Sequence, residues 1–166
     1  TQEIFAAIRQ FADKHPDFHI VYPVHPNPNV KEKAETVLKG VPNISLLAPV
    51  DYSEMLYLIQ QSQFILTDSG GIQEEAPTLG KPVLVLREST ERPEAVESGC
   101  AQLVGHHSEL IFQMMESLAD KKSALYQSMS HATNPFGNGT ASKTIVQQIE
   151  KFLKYEYYAK QIKEWY

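Results

Sequence analysis

Residues 67–77 read Thr-Asp-Ser-Gly-Gly-Ile-Gln-Glu-Glu-Ala-Pro. The core of this stretch, Asp68-Ser69-Gly70-Gly71, admits two chemistries. The same four residue types surround the nucleophile of trypsin-like proteases, and they also make a turn that can cradle a phosphate. The protease reading needs an all-β chain and a Gly before the Asp, where Thr67 stands. A nucleophile elbow needs Gly two residues before the Ser, which is again Thr67. The phosphate reading needs a strand before the turn and a helix after it. The apolar run 64–68 and the segment from Gly70 supply both. Glycines let the backbone approach a ligand closely, and unpaired N–H groups at a helix start favour an anion. The Ser69 hydroxyl can donate one bond more. The ligand-free alternative is a plain strand-to-helix turn, since Gly-Gly alone is a weak signal.

Other chemistry-bearing residues surround this turn. Glu74 and Glu75 fall one turn into the helix. Carboxylates there favour the helix dipole, and one could also accept both hydroxyls of a ribose whose phosphate sits on the helix start. Adjacent acids point in different directions, so only one is expected to do so, and the residues alone do not say which. His25 lies between two prolines after an apolar run. It is either a solvated loop histidine or a proton donor beside a phosphate and its leaving oxygen. Arg87, Thr90, Glu91 and Arg92, with Glu88 and Glu94, crowd one loop. They form either a self-paired, solvated cluster or a rim that closes over sugar and phosphate with Arg as clamp.

Positioning these loops requires alternating strands and helices. Apolar runs at 18–24, 43–49, 64–68, 82–86 and 101–104 read as strands. Helical periodicity covers the first fifteen residues (Ile4, Phe5, Ile8, Phe11), 30–38, a segment that Asp51 or Ser53 can cap, the stripe Leu110, Ile111, Met114, Met115 and Leu118, and the chain from Ala141. Residues 131–139 read as an irregular turn. Continuously apolar strands alternating with helices predict an α/β fold, a Rossmann-like, doubly wound parallel sheet covered on both faces. Ligands of such sheets bind beyond the carboxyl ends of the strands. His-Pro-Asn-Pro-Asn, Ala-Pro-Val-Asp-Tyr, Asp-Ser-Gly-Gly and Arg-Glu-Ser-Thr-Glu-Arg-Pro-Glu all fall at that edge.

The bulk properties narrow the partners. With 166 residues and 42% hydrophobic content, the chain can bury a core. Its net charge of −5 is dispersed, so no basic track for nucleic acid is expected. The single cysteine, Cys100, excludes an intrachain disulfide and suits a reducing, cytoplasmic location. No apolar run approaches membrane-spanning length. No His/Cys/Asp cluster has metal-site spacing, so no metal is expected. The first residue is Thr, inside an expected helix, which suggests that upstream residues are missing.

Taken together, Tyr-Pro-Val-His-Pro-Asn-Pro-Asn-Val (22–30), Leu-Leu-Ala-Pro-Val-Asp-Tyr (46–52), the long block 66–99 and Asn-Pro-Phe-Gly-Asn-Gly-Thr-Ala-Ser (134–142) resemble the C-terminal half of the non-hydrolysing UDP-N-acetylglucosamine 2-epimerases. The resemblance spans about residues 2 to 150. It implies the C-terminal half of a glycosyltransferase-B type enzyme, in which two Rossmann-like halves face a cleft. It also implies interconversion of UDP-GlcNAc and UDP-ManNAc by elimination of UDP and its re-addition, with no cofactor. By resemblance, Ser69, Gly70 and Gly71 hold the diphosphate, Glu75 takes the ribose hydroxyls, and the 48–52 loop meets uracil. His25 assists departure of UDP, and Arg87, Thr90, Glu91 and Arg92 line the closing rim.

The family's Gly-Asp-Gly turn is Gly137-Asn138-Gly139 here, and an Arg expected after it is Thr144. The acid and base at C2 belong to the family's N-terminal half, as does a facing surface for a helix over 141–166. The resemblance further implies that the first strand of the C-terminal half is expected before Thr1. Residues 1–140 are thus expected as an N-terminally truncated UDP-binding domain. The aromatic tail 154–166 is expected to pack toward the other half, in an enzyme that is a homodimer when complete. The chain alone is expected to bind UDP without turnover. A hydrolysing epimerase, a UDP-sugar glycosyltransferase of the same architecture and a non-catalytic nucleotide sensor are the rival readings.

Overall fold

A computed structural model of the chain describes residues 2–163, with side chains described through residue 157. The elements run α1 (Gln2–Lys14), β1 (Ile20–Pro23), α2 (Pro28–Leu38), β2 (Ile44–Leu47), α3 (Tyr52–Gln61), β3 (Ile65–Thr67) and α4 (Gly70–Thr78). They continue with β4 (Val83–Val85), α5 (Pro93–Glu97), β5 (Ala101–Leu103), α6 (Ser108–Ala119), α7 (Ala124–Ser130) and α8 (Ala141–Lys163). All five strands fall inside the apolar runs that foretold them. Helix α7 was not foreseen. Only seven residues long, it buries one side chain of its own, Met129, and offers almost no periodic signal.

The strands pair in parallel throughout, but in two groups. β1 pairs with β2, and β3–β4–β5 form a second sheet with β4 central. No ladder joins β1 to β3 among the described residues. The central strand Val83-Leu84-Val85 is fully buried, which is why its sequence is apolar at every position rather than alternating.

Helix α1 unites the core. Phe5, Ile8 and Ala12 pack with Ala34 and Leu38 of α2 and with Val24 and Ile44. Ala7 and Phe11 pack with Leu84 and with Ile111, Met115 and Leu118 of α6. Phe11 stacks on His15 and meets Phe18 and Phe64 edge-on. The end of α1 is held by Asn43, whose side-chain amide donates to the carbonyls of Ala12, His15 and Phe18 at 3.0–3.1 Å. That accounts for carbonyls a helix end otherwise leaves unpaired.

The chain divides into two compact units, residues 1–135 and 136–166. The first carries all the strands. The second contains the Gly137-Asn138-Gly139 turn, where both glycines take positive φ, and helix α8. On α8, Ile145, Ile149, Phe152 and Leu153 are exposed, as are Tyr155 and Tyr157. Trp165, the chain's single tryptophan, lies outside the described residues. Among the described residues no helix is long and apolar enough to cross a membrane.

One ion cluster ties α1 to α6. Glu116 accepts from both Lys14 and His15. Partial burial alone would raise the Glu116 pKa, but these bonds and the charges of His15 and Lys14 outweigh it and hold the carboxyl below its ordinary value. A depressed folded-state pKa contributes stability above the unfolded value, and that contribution is lost as pH falls through the folded value. Glu116→Gln should therefore cost about 1 kcal/mol in denaturant unfolding at pH 7. The gap to the parent should close when the pH is lowered below the carboxylate range. A gap that persists in acid would mean that the substitution acts through packing.

Candidate functional site

Four loops leave the carboxyl ends of β1, β2, β3 and β4. They carry His25, Asp51, Ser69 and Arg87 respectively. The ends of β1 and β3 are near enough for the Asp68 charge to act on the Tyr22 phenol, whose pKa rises through burial first and that charge second.

The β3–α4 turn is built from its own side chains. Thr67 is buried and its hydroxyl accepts from the Ser69 N–H at 3.0 Å. Ser69 takes the N-cap position of α4 in extended backbone geometry, yet its hydroxyl makes no capping bond. Ser is favoured at N-caps because its oxygen satisfies an N–H of the first turn. Here that oxygen is left available at an exposed position, above a helix start whose next two residues lack side chains. The glycines have different surroundings. A Cβ at Gly71 would meet only the Ser69 Oγ, at 3.9 Å. A Cβ at Gly70 would come within 3.0 Å of a Glu91 carboxylate oxygen and 3.7 Å of an Arg92 guanidinium nitrogen. The rim loop therefore lies over the helix start, and Gly70 is what lets it approach.

Gln73 holds that arrangement. It is fully buried, donates from its amide to the Ser69 carbonyl at 3.2 Å, and accepts from the Thr90 hydroxyl at 2.6 Å. Thr90 in turn accepts the Arg92 N–H at 3.0 Å. Arg92 pairs with Glu74, and Arg87 with Glu91 at 2.6 Å. The rim cluster is partly self-paired, as one of the two readings held, but the Arg92 pair and the Gln73 bond tie it to α4. Reasoning from sequence passed over Gln73, because a glutamine in a turn region is ordinarily solvated. The signal available was its place one turn after Ser69 on the buried side of α4.

The two glutamates separate. Glu74 is taken up by Arg92. Glu75 instead acts on Tyr52, the first residue of α3, and its carboxylate raises that phenol's pKa. Asp51 caps α3 through a reciprocal capping box with Glu54, one of the two caps expected. His25 is exposed and its Nδ1 accepts the Asn27 N–H at 3.2 Å, which puts the ring proton on Nε2 in the neutral tautomer. Among the described residues, no group of three or more His, Cys, Asp or Glu could hold a metal ion.

The protein-family model for UDP-N-acetylglucosamine 2-epimerase matches residues 1–150. The chain belongs to this epimerase family. A probable UDP-N-acetylglucosamine 2-epimerase from Ralstonia nicotianae is 51% identical over 91% of the chain and 40% of its own length. Among solved structures, the S. aureus MnaA–UDP co-structure superposes with a TM-score of 0.87 at 45% identity, covering 92% of this chain and 42% of that one. The Neisseria meningitidis UDP-GlcNAc 2-epimerase bound to UDP-GlcNAc gives 0.84 at 45% identity, covering 90% and 40%. The chain thus spans about 40% of the length of the curated relatives it matches. Its fold is that of part of these epimerases, the glycosyltransferase-B type, as its sequence implied.

The Gln73–Thr90 bond makes a direct prediction. Thr90→Val removes the donor and leaves a buried amide oxygen unpaired, which should cost about 1–3 kcal/mol of stability. Amide hydrogen exchange should accelerate across residues 87–92 more than in the strands. Uniform acceleration, or none, would show that the rim is held by other contacts.

Proposed function

We propose that this chain supplies the UDP-binding half of an enzyme that interconverts UDP-GlcNAc and UDP-ManNAc. The observation that carries this reading is the start of α4, where an uncommitted serine hydroxyl and two glycines present first-turn backbone N–H groups at the strand edge. Ser69, Gly70 and Gly71 hold the diphosphate, and Glu75 accepts the ribose hydroxyls. His25, with its ring proton on Nε2, donates to the diphosphate as UDP departs. Arg87, Thr90, Glu91 and Arg92 form the rim over the sugar and phosphates.

The reaction eliminates UDP to leave a 2-acetamidoglucal, and UDP returns after C2 is reprotonated on the opposite face. Elimination builds negative charge on the leaving diphosphate, so N–H groups fixed before the reaction stabilise the transition state without reorganising. Acid and base at C2 are contributed by residues outside this chain, which by itself binds UDP and does not turn over UDP-GlcNAc. The complete enzyme acts as a homodimer in the cytoplasm and serves surface-polysaccharide synthesis. The relatives solved with UDP and with UDP-GlcNAc support the ligand class.

Calorimetric titration of the chain with UDP tests the reading. Ser69→Ala removes one bond to a charged group and should weaken UDP roughly tenfold, with Glu75→Ala comparable. Weakening should be absent for uridine in the Ser69 variant, since uridine carries no diphosphate. Equal loss for both ligands, or unchanged UDP affinity in the two variants, would overturn the assignment. Turnover of UDP-GlcNAc by the chain alone would overturn the division of labour.

A further inference from the structure

We propose that Glu91 is an internal competitor for the diphosphate: its carboxylate holds Arg87 and covers the start of α4 until UDP displaces it. The inference rests on the diphosphate role of the α4 start given above and names the group that the ligand must move.

The Glu91 carboxylate bridges two parts of the site. Its Oε2 accepts from Arg87 Nη1 at 2.6 Å. Its Oε1 lies 3.0 Å from the point where a Cβ on Gly70 would stand. Cβ positions on a helix tilt toward its N-terminus. The carboxylate therefore sits beside the first turn of α4, at the positive end of the helix dipole. Both groups that it satisfies, a guanidinium and a helix start, are groups that a diphosphate would also seek.

The chain on either side of Glu91 is anchored, while its side chain is not. Thr90 bonds to the buried Gln73 at 2.6 Å, and Arg92 pairs with Glu74 on α4. The side chains of Glu91 and Arg87 are 50% and 38% exposed, so their ion pair is weak and can open without disturbing the core. A diphosphate at the α4 start cannot share that place with a carboxylate, because like charges at contact repel. Rotation of the Glu91 side chain into solvent removes the repulsion and frees Arg87 for the ligand. Uridine brings no anion and has nothing to displace. Glu88 provides the contrast. It is exposed in the same loop, but its carboxylate packs against Gly105, beyond β5, rather than against α4.

Glu91→Gln keeps the shape of the side chain and removes its charge. The test is calorimetric titration of the parent chain, Glu91→Gln and Glu88→Gln with UDP and with uridine, at about physiological ionic strength so that distant charges are screened. Glu91→Gln should bind UDP about 5-fold more tightly than the parent, the upper range for one partly exposed charge pair, and uridine within about 2-fold. Glu88→Gln removes the same charge from the same loop and should leave both ligands within about 2-fold. Unchanged or weaker UDP binding in Glu91→Gln would overturn the competition while leaving the UDP site standing. So would an equal gain for uridine, or an equal gain in Glu88→Gln. Failure of both the parent and Glu91→Gln to bind UDP would overturn the site itself and this inference with it.

Discussion

A buried amide governs the site. Gln73 has no access to water, so each of its polar atoms must be satisfied within the protein or cost stability. Its NH₂ donates to the Ser69 carbonyl and its oxygen accepts from Thr90. Those two bonds fix the start of α4 relative to the loop after β4, two segments about twenty residues apart in sequence. The other polar features of the turn follow from that pairing. Ser69 is held by Thr67 from behind, its hydroxyl is left uncommitted, and Gly70 is bare because the rim passes above it.

The charges divide along the same line. Arg87 and Arg92 both lie on the rim, and both are already paired with carboxylates. Partly exposed pairs of this kind are worth about 1 kcal/mol or less, so a diphosphate can displace them at small cost. The backbone N–H groups at the helix start need no displacement. Fixed donors at the base and exchangeable cations at the lip would suit the diphosphate site proposed above.

Much of this was legible in the sequence. The apolar runs located every described strand, most plainly β4, which is buried at all three of its positions. Asp51 was readable as a helix cap because capping is a local, side-chain-to-backbone effect, and the start of α4 was readable from the two glycines that follow an apolar run. The break between β1–β2 and β3–β4–β5 was not readable, since strand pairing between distant segments leaves no local mark. Nor was Gln73, whose importance comes from its bond to Thr90, a residue in a different loop. Residues 74 and 75 are indistinguishable as a Glu-Glu pair. Only the family resemblance told them apart, and the structure adds that Arg92 takes up Glu74.

The central claim is that the start of α4 recognises a diphosphate. Amide chemical shifts recorded during titration with UDP, and separately with uridine, test it most directly. The account predicts that Gly70, Gly71 and Ile72 shift strongly with UDP and hardly with uridine, while residues 48–52 respond to both. Equal responses at 70–72 to the two ligands, or UDP shifts confined to other parts of the chain, would contradict it.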